Sequence, residues 1–104
     1  MFNINGIWWN IEFTNWSNPA LRRSNGTSAL GVCDSKTRTI YLADFLEGSM
    51  LRKVLTHEIV HAAMFSYSVF LSLEQEELIA DIIATYGNEI INITNKVFKK
   101  LQHI

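Results

Sequence analysis

Residues 49–65, SMLRKVLTHEIVHAAMF, set the frame for the whole chain. Leu51, Val54, Leu55, Ile59 and Ala62 recur at three- and four-residue spacing, which predicts an amphipathic helix. Ser49 stands at the N-cap position, and the pattern runs to about Phe65. On that helix His57 and His61 lie one turn apart on the same face, so both imidazoles can reach one metal ion. Glu58 is rotated about 100° from His57 and points beside such an ion, not at it. A carboxylate there can take a proton from a metal-held water and pass it to a leaving amine. The metal makes this possible at neutral pH by lowering the water's pKa from 15.7 to about 7.

Upstream, residues 6–14, GIWWNIEFT, alternate. Ile7, Trp9, Ile11 and Phe13 face one way, Trp8, Asn10, Glu12 and Thr14 the other, as in a half-buried strand. A loop rich in turn formers follows, with one helical turn expected from Pro19 to Arg23. Residues 28–33 and 37–42 read as two further strands around an Asp34-Ser35-Lys36 turn, forming a hairpin. Downstream of the first helix, SYSVFLS leads to a second helix from about Leu73, with acids at its start and lysines at its end. Gly87-Asn88 is a point where it could bend or split. The expected fold is α+β: a single domain, residues 1–104, with a three-stranded sheet and two helices packed on one face.

Composition narrows the function. The chain has 104 residues, 48% hydrophobic and 18% charged, with a net charge of −1. Its basic residues are scattered apart from Arg22-Arg23 and Lys99-Lys100, so no nucleic-acid footprint is expected. Cys33 is the single cysteine; it sits in an apolar run and reads as a small buried side chain. No secretory leader is evident at the N-terminus, and no apolar run reaches the roughly 20 residues of a membrane span. A cytoplasmic protein is expected. Trp9 reads as core, whereas Trp8, on the polar side, is a candidate contact surface.

A zinc site needs a third protein ligand and an open fourth position. The extended pattern with Gly and His at the third and sixth positions after the motif fails, because Met64 and Tyr67 stand there. His103 lies near the C-terminus and reads as a tail residue. The second helix offers Glu74, Glu76 and Glu77. Glu77 shares a face with Asp81, Ala80 and Ala84 and is the preferred third ligand. Asp81 is expected to orient a ligand histidine through its other ring nitrogen. Glu76 reads as core edge and Glu74 as a helix-dipole residue, with both kept as alternatives.

His57-Glu58-x-x-His61 followed by Glu77-x-x-x-Asp81 resembles the HExxH plus ExxxD signature of gluzincin metallopeptidases. Residues 31–62 resemble the small intracellular and phage-borne zincins, ImmA/IrrE-like and minimal gluzincin proteins. The resemblance covers residues 31–88. It implies a zincin-like fold and one Zn2+ held by His57, His61 and Glu77. It further implies Glu58 as general base and Asp81 supporting a ligand histidine. It also implies a peptide or protein substrate laid along an edge strand, here the one running from Thr37 to Leu42. If the chain is phage-encoded, the resemblance implies the host cytoplasm. Tyr41 and Tyr67 are positional candidates for stabilising an oxyanion. The expectation is therefore a zinc-dependent endopeptidase. The alternative is a zincin-like binding or regulatory module that keeps the metal without turnover. A purely structural zinc site is disfavoured because it would call for four ligands, cysteines above all.

Overall fold

The computed structural model describes residues 1–22 and 28–102. It is an α+β arrangement of four strands and two helices: β1 (Phe2–Ile4), β2 (Ile7–Thr14), β3 (Gly31–Asp34), β4 (Thr39–Ala43), α1 (Gly48–Ser66) and α2 (Leu73–Leu101). The sheet order is β1-β2-β4-β3. β1–β2 and β3–β4 are antiparallel, while β2 and β4 run parallel, so the sheet is mixed.

The sheet has one strand more than expected. β1 is only three residues long, but its signal is Asn5-Gly6 between apolar neighbours. Both turn residues sit at positive φ, 50° and 82°, as a tight two-residue hairpin turn demands. The expected edge position of residues 37–42 is also corrected. β4 is an interior strand flanked by β2 and β3, and the edges are β1 and β3. Four of the five residues of β4, Thr39, Ile40, Leu42 and Ala43, are buried, as a strand covered on both faces requires. Phe13 departs from its strand's inward set: one residue from the end of β2, it is 52% exposed.

Between β2 and β3 lies a 3-10 turn, Pro19–Leu21, capped by the Asn18 side chain, which accepts from the Ala20 N–H. Leu21 from this turn is fully buried. Arg23, where that turn was expected to end, and His103 lie outside the described residues.

α1 lies against the sheet through Glu58, Ala62 and Ser66, spaced four apart and buried. Its N-cap is Glu47, which makes no side-chain capping bond, and Ser49 falls inside the first turn. The core joins Trp9, Leu21, Ile40, Leu42, Ala43 and Leu46 to Ala62. At the C-terminal end of α1 the buried Trp9 indole N–H donates to Ser66 Oγ at 2.9 Å. The Trp9 ring meets Phe65 edge-on, and Asn5 Nδ2 donates to the Ser66 carbonyl. The β1–β2 hairpin thus anchors the end of the motif helix.

α2 packs on α1. Ser72 and Gln75 form a reciprocal capping box at its start. It runs unbroken through Gly87-Asn88, because an isolated glycine in a helical run costs only about 1 kcal/mol and strong apolar-periodic sequence continues on both sides. No described helix is long and apolar enough to cross a membrane.

Replacing Ser66 with Ala leaves the buried indole N–H without its acceptor. The expected loss is about 1–3 kcal/mol of stability, read as a lower urea midpoint at unchanged slope. An unchanged midpoint would show that the indole finds another partner.

Candidate metal centre

Helical spacing puts two functions on adjacent faces of α1. The Glu58–Ala62–Ser66 stripe turns to the sheet, and His57 and His61 turn to α2. Ala80 is the fully buried residue of α2. A small side chain there lets the helices approach closely, so the acids one turn before and just after it reach the histidines.

His57 Nε2 lies 3.2 Å from one Glu77 carboxylate oxygen, and His61 Nε2 lies 2.8 Å from the other. His57, His61 and Glu77 each offer a ligand atom, and the three atoms lie within 4.8 Å of one another. This set could hold a metal ion. Its chemistry fits: two imidazoles and a carboxylate make a three-ligand set for a borderline-soft divalent cation. Glu58, Glu76, Glu77 and Asp81 all stand within hydrogen-bond reach of these two imidazoles, so a divalent cation would relieve a crowded negative charge.

Glu76, read from sequence as core edge, has a definite position. Its Oε1 lies 2.6 Å from His61 Nδ1, the nitrogen turned away from Glu77. A carboxylate there makes Nδ1 the protonated nitrogen and leaves Nε2 free to ligate. The sequence signal was present, since Glu76 sits fifteen residues after His61 and next to Glu77. Its direction depends on how α2 is rotated against α1. Asp81 is corrected accordingly. It approaches His57 at Nε2, 3.1 Å away, on the ligand side of the ring. The His57 Nδ1 position belongs to Glu58 Oε2 at 3.1 Å. Glu74 lies in the first turn of α2 and is exposed.

Glu58 is buried at 6% exposure between α1 and β3. Gly31 makes this possible. A Cβ at residue 31 would stand 2.8 Å from Val54 Cγ1 and 3.0 Å from Glu58 Cγ. The glycine therefore lets the edge strand approach the carboxylate. The hydrogen bond to Glu58 raises the His57 pKa above its ordinary value; burial opposes this, and the charges of Glu58, Glu77 and Asp81 add to it.

The centre opens into a cleft of about 760 Å³. One wall is β3, with Gly31, Val32 and Cys33, and the other carries Phe65, Val69, Phe70 and Leu71. Arg22 and Ser35 also line it, whereas Tyr41 and Tyr67 do not. Cys33 is a free thiol whose pKa is pushed up to about 12, chiefly by burial, then by the charges of Glu58, Glu76 and Asp34. That is the electrostatic opposite of a nucleophilic cysteine.

No protein-family model, curated protein or solved structure matches this chain. The functional reading accordingly rests on the geometry.

Two measurements follow from these groups. Cys33 in the native chain should alkylate at least about a hundredfold more slowly than in urea, and equal rates would contradict its placement. A metal takes only neutral imidazole, so zinc affinity should fall on acidification through the raised His57 pKa, by about tenfold per pH unit or more. In the metal-free chain the sign reverses. Protonated His57 stabilises the fold fully below its ordinary pKa of about 6.5, and that contribution is lost as pH rises through the raised value. Calorimetric zinc titrations at about pH 6 and about pH 8 test the first sign, and pH-independent affinity would refute it.

Proposed function

We propose that this chain is a small zinc-dependent metallopeptidase of gluzincin type, with a zincin-like arrangement of α1 and α2. The observation that carries the reading is the convergence of His57 Nε2, His61 Nε2 and the Glu77 carboxylate, with the buried Glu58 lining the same cleft. Two imidazoles and one carboxylate with an open position favour zinc. A bound zinc supplies Lewis acidity, polarising a carbonyl and acidifying a water.

The chain's own residues do the rest. Glu76 holds His61 in the ligating tautomer. Glu58 takes the proton from the attacking water as its oxygen bonds to the scissile carbonyl carbon. It then delivers that proton to the amine nitrogen as the C–N bond breaks. Glu58 lines the same cleft as His57, His61 and Glu77, and its carboxylate leaves His57 Nδ1 to reach the attacking water. An extended peptide fits beside β3, which among the described residues pairs only with β4. This moves the substrate strand from residues 37–42 to Gly31–Asp34. Phe65, Val69, Phe70 and Leu71 give the opposite wall an apolar character suited to a bulky apolar side chain.

One observation favours a second reading, a metal-holding module without turnover. Asp81 Oδ1 stands 3.1 Å from His57 Nε2 and could close the fourth position. Against it, the set gathered within 4.8 Å contains Glu77 but not Asp81.

The purified chain should carry about one zinc. The metal should be lost in Glu77→Ala and in His57→Ala/His61→Ala, but kept in Glu58→Gln. On a mixed peptide library, Glu58→Gln should cleave at least about a hundredfold more slowly. Zinc that persists without Glu77 would refute the ligand set. Zinc binding with no cleavage by the parent chain, and weaker zinc in Asp81→Ala, would select the closed module.

A further inference from the structure

Among the described residues, the second half of α2 has no partner within the chain. The principal extents are 55 × 30 × 27 Å and the radius of gyration is 15.7 Å, where a compact chain of this length has about 13 Å. A helix of 29 residues is about 43 Å long, and every residue of α2 beyond Gly87 is exposed. Yet its sequence there is not that of a solvated helix. Ile79, Ile83, Tyr86, Ile90, Ile93 and Val97 follow one another at alternating spacings of four and three. That is a continuous a/d seam, with Ile83, Ile90 and Val97 at a and Ile79, Tyr86 and Ile93 at d. Ile90, Ile93 and Val97 are 52%, 53% and 48% exposed.

The charges beside the seam select its partner. Glu89 and Lys96 occupy successive g positions, one heptad apart. In an antiparallel pair g positions flank g positions, so Glu89 of each copy meets Lys96 of the other, twice by symmetry. In this register Ile90 packs against the second copy's Ile93, and Tyr86 against its Val97. A parallel pair would oppose Lys100 to itself at d and leave Glu89 facing Thr94. The antiparallel operation also disposes of a second apolar stripe. Phe98 and Leu101, 56% and 59% exposed, lie on the flank along which α1 packs on the earlier turns. That flank faces its equivalent in an antiparallel pair, so α1 of the second copy comes alongside them.

We propose that the seam from Tyr86 to Val97 docks an antiparallel second copy of this chain, with register set by reciprocal Glu89–Lys96 pairs. The surface is separate from the metal centre and does not depend on it.

The test is sedimentation velocity on the full chain over a concentration series, with zinc content and helical circular dichroism recorded for each variant. The expected parent species has twice the chain mass of 11.9 kDa. Glu89→Lys should weaken the dimer roughly tenfold, because two attractions become repulsions. Glu89→Lys/Lys96→Glu should restore it. Both positions are exposed, so the fold and the metal survive the reversals. A parent chain that stays monomeric at the highest concentration overturns the proposal. So does a dimer indifferent to the single reversal, or one not rescued by the double. A monomer that floats with phosphatidylcholine–phosphatidylserine vesicles would assign the seam to a lipid surface instead and would equally overturn it.

Discussion

The structure turns on the line where α1 and α2 meet. α2 packs on α1, and the polar part of that contact is two imidazoles against three acids. Ala80 sets the approach, and the histidines set the rotation. A helix rotated by one residue, about 100°, would take Glu76 and Glu77 away from the ring nitrogens. The same groups that could hold a metal therefore hold α2. An ion held by both helices would couple metal binding to helix docking, because it would stabilise only the docked state.

Crowding carboxylates around two histidines is unfavourable unless something positive shares the space. His57 can supply part of that positive charge, its pKa raised by the hydrogen bond to the buried Glu58 and by the charges of Glu58, Glu77 and Asp81. Cys33, on the facing strand, shows the same field from the other side. There burial and the charges of Glu58 and Glu76 disfavour the thiolate. The field of the cleft thus favours cations and disfavours a sulfur nucleophile.

Close approach governs the buried side of the centre. Gly31 leaves the room in which Glu58 sits, and the edge strand can then run beside the motif helix without being displaced. At the far end the Trp9–Ser66 hydrogen bond and the Asn5 contact hold α1 against the hairpin. The glutamate and the two histidines are thus carried on a helix anchored at its end, while Asp81, 68% exposed at its side chain, sits at the open rim.

Much of this was legible in the residues alone. Periodicity located both helices to within a residue or two, and alternation located β2. The four-residue spacing of His57 and His61 put both rings on one side because helix geometry is local. Asn5-Gly6 is a hairpin signal in the sequence, but the three residues of β1 are too few for alternation to mark a strand. What no local pattern carries is relative placement. Strand order follows from how the chain closes over its core, so β4 fell inside the sheet and β3 became an edge. The partners of the ring nitrogens follow from the rotation of one helix against another. Glu76, Glu77 and Asp81 all lie within two turns of one another, and only the packing of α2 on α1 decided which acid meets which nitrogen.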